Sequence, residues 1–326
     1  MWSKGLFAAL LAIGWVASDA SAQTSNYPDK PIRVVIPFPP GGPTDGMARI
    51  VVERLSDLLG QATVIDNRGG GAGGSVGARF VADAAPDGYT ILLTPGGSIA
   101  TGPAIHQEKL GYDPDKVFTP VTQLIETPMV MSVHPSLPVK TMADLVKYMK
   151  ANPGKVSWGL QGFGTGAHLM AELFKLETGT DAALVPYRGT GPMLNAILAG
   201  EVHVVIDPAT TSLAHIEAGK LRPIAIAGSG RFDKMPEVET TAEQGYPKMV
   251  RPFWLGVVAP MGTPKPIIDK LNSAFREALA FPETRKRLAF LGAEVKVGTP
   301  EAFWKMVTEE RSVYSGVVKA AGIKVQ

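Results

Sequence analysis

Few residues in this sequence have the types and spacing that bond-making chemistry needs, and their contexts argue against it. "GGSVG" (73–77) matches G-x-S-x-G, the turn that presents a serine nucleophile at the end of a strand, and would make Ser75 the centre of an exported hydrolase. That turn requires the strand to run straight into the serine, whereas Ser75 comes nine positions after Asp66, where the preceding apolar run ends. "GGGAGG" (69–74) matches G-x-G-x-x-G. It follows the second strand pattern rather than the first, its glycines form a long run rather than a tight fingerprint, and no acid stands at the expected strand end. There is no cysteine, which removes thiol nucleophiles, disulfides, thiolate zinc sites and iron–sulfur clusters. The histidines (His106, His134, His168, His203, His215) form no H-x-x-x-H pair, and no G-K-[ST] occurs. No metal, no cofactor and no catalytic residue is expected.

The residues that remain suit binding by main chain. "PFPPGGPTD" (37–45) lies between the apolar run "IRVVI" and the helical pattern "GMARIVVERLSDLL". Gly41 and Gly42 let backbone approach a ligand, Pro39 and Pro40 stiffen the loop, Phe38 and Pro40 are expected to line the site, and Thr44 or Asp45 is expected to cap the helix. Free N–H groups at a helix start, aided by the helix dipole, hold a carboxylate without a side-chain cation. The plain alternative is a turn followed by a capped helix.

"GLQGFGTGAHLM" (159–170) repeats the design. Gln161, Phe163, Gly164 and Gly166 sit in the turn, Thr165 at the N-cap, and His168 three residues later as either a proton shuttle or, more simply, a capping and packing residue. "TPGGSIATG" (94–102) offers a third strand-end loop with hydroxyls at Thr94 and Ser98. "VPYRGTGP" (185–192) is a fourth, with Tyr187 and with Arg188, which either grips a carboxylate bidentately or sits on the surface. Asp207 ends a strand at the same edge; it would repel an anion unless it works through water or an amine, or caps a neighbouring helix.

These loops need elements to hold them. Strand patterns at 32–38, 62–66 and 89–94 alternate with helical patterns at 45–59 and 75–84, a βαβαβ order that predicts a parallel sheet covered on both faces. A second series begins near residue 129, with strands at 129–135, 155–160, 182–187, 202–207 and 221–228 and helices after Thr141, after Thr165 and over 191–199. A strand at 253–260 and three helical segments close the chain. The sequence thus predicts an α/β protein of two lobes with a cleft at the carboxyl ends of the strands.

The chain's 326 residues, 45% of them hydrophobic, can bury a large core, and a net charge of +2 gives no footprint for nucleic acid. "MWSKGLFAALLAIGWVASDASAQ" has the short positive start, apolar run and small-x-small site of a cleaved signal peptide over residues 1–22, so an exported, periplasmic protein is expected.

Taken together, "YPDKPIRVVIPFPPGGPTD", "GTGAHL", "VPYRGTGP", "AGKLRPIAIAG", "FWLGVVAP" and the "AGIKV" tail resemble the Bug (TctC-like) family along nearly the whole mature chain. The resemblance implies a periplasmic solute receptor of a tripartite tricarboxylate transporter with a two-lobed, Venus-flytrap, type II-like periplasmic-binding-protein fold. Residues 27–128 plus 252–326 would form domain 1 and 129–251 domain 2, with crossover hinge segments near Thr127–Pro128 and Arg251–Pro252. It places Gly41, Gly42 and Asp45 on the first ligand loop and Gly164, Thr165 and His168 on the second, around a carboxylate held by backbone amides and ordered waters. The expected partners are a small carboxylate and membrane permease subunits or, alternatively, a sensor kinase, with the receptor acting as a monomer. "GLQGF" stands where the family has a serine-rich run, so Gln161 and Phe163 are expected to reshape that end of the pocket.

Overall fold

The protein is described by a computed structural model covering residues 26–106 and 110–323. The expected signal peptide lies outside these residues. Strands β1 (Ile32–Ile36), β2 (Thr63–Asn67) and β3 (Thr90–Thr94) alternate with helices α1 (Pro43–Leu59) and α2 (Ser75–Ala82). A π-helical turn (Gly97–Thr101) and short helices α3 (Gly102–His106) and α4 (Pro114–Val117) lead to β4 (Phe118–Thr127). The chain then builds β5 (Met129–Val133), α5 (Met142–Ala151), β6 (Ser157–Leu160), α6 (Gly166–Thr178), β7 (Ala183–Pro186), α7 (Thr190–Leu198), β8 (Val204–Pro208), α8 (Ala209–Glu217) and β9 (Arg222–Ala227). It returns through β10 (Phe253–Pro260), α9 (Lys265–Ala280), α10 (Pro282–Phe290), β11 (Glu294–Val295) and α11 (Pro300–Ala321).

Two sheets result, ordered β11-β4-β10-β3-β1-β2 and β7-β6-β8-β5-β9. The expected βαβαβ unit is present, with β1 parallel to both β2 and β3. The sheets are mixed rather than wholly parallel, because β10 runs antiparallel to β3 and β4, and β5 antiparallel to β8 and β9. An unbroken apolar run reports that both faces of a strand are covered; it carries no information on strand direction. In β1, Val34 and Ile36 enter one apolar cluster with Met47, Val51 and Phe275, while Val35 enters another with Leu92 and Val258. Successive side chains point to opposite faces, so both faces demand apolar residues.

The chain passes from the first sheet to the second at Pro128, between β4 and β5, and returns between β9 and β10. The outgoing and returning strands lie side by side, paired from Phe253–Thr127 to Pro260–Phe118. Helix α11 spans both lobes. Phe303 and Val307 belong to the core of the first, whereas Tyr314 and Val317 belong to the core of the second. At 1.5 Å per residue its 22 residues reach about 33 Å, enough to cross the molecule. Its first half is seated by Gly256 of β10, where a Cβ would stand 2.2 Å from the Phe303 ring.

Gly256→Ala therefore forces that ring out of its seat. The expected loss is about 1–3 kcal/mol of unfolding free energy, the usual range for overpacking, read from urea denaturation. An unchanged midpoint would show that α11 is not anchored there.

Candidate functional site

A cavity of about 280 Å³ opens between the two lobes, lined from the first by Phe38–Thr44 and Pro95–Gly97 and from the second by Thr165–Ala167 and Arg188–Pro192. Three helices, α1, α6 and α7, start on its wall.

The first loop is built as follows. Pro43 occupies the first turn of α1 and Gly42 is the N-cap, extended at φ −82, ψ 173, with no side chain capping it. The expected cap at Thr44 or Asp45 is incorrect: proline at N1 starts the helix two residues early, and both residues fall inside its first turn. Their N–H groups lie at the open helix end. Asp45 is instead the loop's internal staple. Its Oδ2 accepts the Gly41 N–H at 3.0 Å and Arg49 Nε at 3.0 Å, and its Oδ1 accepts Asn67 Nδ2 at 3.0 Å. Asn67 also donates to the Phe38 carbonyl at 3.1 Å, tying the loop to the end of β2. Burial works to raise the Asp45 carboxyl, but the hydrogen bonds from Arg49, Gly41 and Asn67 outweigh it and hold it below the usual carboxylate range. Asp45 is buried and does not line the cavity. Gly41 is needed for its φ of +82.

The second loop matches its expectation at the cap. Thr165 Oγ1 accepts the His168 N–H at 3.4 Å and donates to the Gly162 carbonyl at 2.9 Å. Thr165, Gly166 and Gln161 line the cavity; Gly164 and His168 do not. His168 is buried, and its Nδ1 accepts the Gly164 N–H at 3.3 Å. Burial, with the charges of His106 and Lys175, lowers its pKa to about 4, so it packs as a neutral ring rather than shuttling protons. Phe163 turns away from the ligand space: it is 48% exposed and sets its ring against His168 at 5.0 Å.

The glycine run 69–74 holds no dinucleotide fingerprint; it is where backbones meet. A Cβ at Gly73 would stand 2.3 Å from the Gly97 carbonyl oxygen, and one at Gly164 would stand 3.2 Å from the Gly73 nitrogen. The second lobe is fastened there by Thr101, whose Oγ1 donates to the Gly164 carbonyl at 2.7 Å. Ser75 begins α2 beside this junction, and among the described residues no hydrogen bond joins it to a histidine or a carboxylate.

The third loop is not a loop. Residues 97–106 are helical and bury Ile99, Ala100 and Ile105, a period that "GGSIATG" hides behind its glycines. Thr94 and Ser98 are consequently buried and bonded to each other at 3.0 Å, and Ser98 holds the Gly73 carbonyl at 2.9 Å, off the cavity. Tyr187 packs against the apolar cluster around Met193 and does not reach the cavity, whereas Arg188 does. Among the described residues, no ion pair or hydrogen bond holds Arg188. Asp207 is fully buried under the wall, accepting from Thr211, with Oδ1 unpartnered; burial raises its pKa to about 7.

Sequence reasoning missed a further group on the cavity wall: Arg251, Trp254, Glu310 and Tyr314. Arg251 Nη1 donates to the Val250 carbonyl at 3.0 Å, while its Nε is buried without an acceptor. Trp254 Nε1 donates to Glu310 Oε2 at 2.6 Å. Arg251 precedes and Trp254 lies within the recognised strand 253–260, so both carried a visible cue; Glu310 is an ordinary helix acid whose position depends on where α11 docks.

The model of the tripartite tricarboxylate transporter family receptor matches residues 47–323. The chain belongs to this family. BugT of Bordetella pertussis is 38% identical, over 97% of this chain and 96% of its own length. A Rhodopseudomonas palustris protein solved with adipate aligns with a TM-score of 0.85 at 37% identity, over 91% of this chain and 99% of that one. MatC of the same organism, solved with bound malate, gives 0.83 at 36%, over 90% of this chain and 100% of that one. The two-lobed fold is that of periplasmic solute-binding proteins, and the family is one of solute receptors, not of enzymes.

Two outcomes are expected. The Asp207 carboxyl has a folded pKa of about 7, above its unfolded value, so its stabilising effect is complete at acid pH and is lost as pH rises towards 7. Asp207→Asn should leave stability unchanged near pH 4 and raise it by up to about 4 kcal/mol at pH 8, measured by denaturant unfolding. A variant destabilised equally at both values would show that Asp207 is ionised and needed. Thr101→Val removes the donor to Gly164. The unfolding free energy of the ligand-free protein should fall by about 1–3 kcal/mol, because the Gly164 carbonyl loses its buried partner, read from urea denaturation; an unchanged midpoint would mean the bond does not hold the junction.

Proposed function

We propose that this chain is an exported, periplasmic receptor that captures a small dicarboxylate between its lobes and presents it to membrane permease subunits of a tripartite transporter. The observation that carries the reading is the convergence of positive ends on one cavity. Helices α1 and α7 begin at Gly42 and Gly189 without any side-chain cap; α6, capped by Thr165, begins with α7 on the second lobe, facing α1 on the first. Arg188 and Arg251 line the same space without an ion pair. Helix starts in this state hold carboxylates through main-chain N–H groups and the dipole. The volume, about 280 Å³, is at the small end for ligand sites, which suits a short organic acid with its waters. Relatives solved with adipate and malate support the class.

The proposed division places 27–128 with 252–326 in domain 1 and 129–251 in domain 2. The lobes turn about Pro128 and the Arg251–Pro252 segment. Sheet membership supports this, since only these two connections join the sheets. Ligand bound to domain 1 draws the starts of α6 and α7 onto it as the lobes close.

A thermal-shift screen of C4 to C6 dicarboxylates, tricarboxylates, amino acids and aromatic acids tests the reading. The cognate acid at a hundredfold excess over its Kd adds about 2.7 kcal/mol and raises Tm by several degrees. A screen in which no acid moves Tm overturns it.

A further inference from the structure

The receptor reading, on which this inference rests, leaves one group in the cavity unaccounted for. Glu310 projects from α11 onto the same wall as Arg251. As a carboxylate it would repel the anion that the three helix starts and two arginines attract. Its surroundings disfavour that charge. Burial pushes the Glu310 carboxyl up to about 7, outweighing the indole N–H of Trp254 on β10 and the charge of Arg251 on the crossover. It also outweighs a side-chain hydrogen bond with Tyr314, one turn along α11, which favours the carboxylate, while Glu126 on β4 adds a like charge that works with burial. Among the described residues, Arg251 is the cation whose charge acts on it, makes no ion pair with it and keeps its buried Nε without an acceptor.

We propose that Glu310 binds the ligand as the neutral acid, donating its proton in a hydrogen bond to one ligand carboxylate while Arg251 supplies the opposing charge. The balance is simple: an ionised Glu310, a dianion and one proton from solvent give the complex, with no bond to carbon changed. A carboxyl on a half-buried side chain, held near neutrality on an apolar wall, is suited to such donation. At acid pH the free receptor is already competent. Above about pH 7 the competent fraction falls, and the apparent Kd, which scales inversely with it, climbs about tenfold per pH unit. Glu310 is thereby a specificity residue too, because a ligand offering an ammonium at that end would instead require the ionised form.

Calorimetric titration of the full mature chain with malate and with adipate, between about pH 6.5 and 9, tests this; both acids stay ionised there. Two buffers of different ionisation heat give the proton count. The expected result is uptake approaching one proton per ligand at the alkaline end, with Kd rising about tenfold per unit. Glu310→Gln, which keeps a donor, should bind with a flat pH profile and no proton uptake. Asp207→Asn removes another group with a pKa near 7, one off the cavity, and should behave like the unaltered chain. His168, held at about 4, does not titrate in this window. Binding without proton uptake in the unaltered chain, a readout that needs no variant to fold, overturns the proposal and leaves the receptor reading standing. Proton uptake that persists in Glu310→Gln also overturns it. Failure of every acid in the wider screen to bind overturns both.

Discussion

The constraint behind this structure is the cost of holding a carboxylate away from bulk water without a dedicated cation at each oxygen. Backbone N–H groups meet it only where no carbonyl already uses them, and helix starts are such places. A start is useful to a ligand when its own side chains leave it open. Gly42 and Gly189 have nothing to cap with, and Pro43 has no N–H to satisfy. The glycine- and proline-rich loops are what an uncapped, ligand-facing helix start requires.

Such a loop must still keep its shape when empty, and buried hydrogen bonds around Asp45 do this. Asp45 draws in the Gly41 N–H, Arg49 and Asn67, fixing the turn from behind while leaving the front to backbone. Bonds to a charged acceptor contribute about 1.5–3 kcal/mol each, enough to hold a short turn. Arg49 neutralises the carboxylate, so the negative charge behind the loop is screened from an arriving anion. The second lobe achieves the same with neutral groups, through Thr165 and the ring of His168.

How much of this was legible follows from range. The starts of α1 and α6 and the strands that feed them are written in contiguous residues, as period, proline and glycine. Thr165 as a cap and Gly179 as a helix stop needed nothing from elsewhere in the chain. Positions decided by docking were not legible. Asp45 reads as a cap until Asn67 and Gly41 claim it. Thr94 and Ser98 read as loop hydroxyls until residues 97–106 coil and bury them. Phe163 reads as a pocket residue until His168 takes its ring edge. Glu310 carries no signal at all in sequence, since its role depends on α11 crossing between two cores.

That crossing also bears on how the lobes move. Where the lobes meet, glycine backbones come together, Thr101 bonds to Gly164, and the neighbouring Ile105 enters the core of the second lobe. Such a bond contributes about 1 kcal/mol net, and small backbone contacts add little apolar burial. By contrast, α11 holds both lobes through buried aromatic and aliphatic side chains. A ligand shifts an equilibrium by its differential affinity for the two states. In the proposed reading, the ligand supplies part of that difference by bridging the start of α1 to those of α6 and α7. Closure is, in the same reading, the signal by which the membrane partner senses that the receptor is occupied.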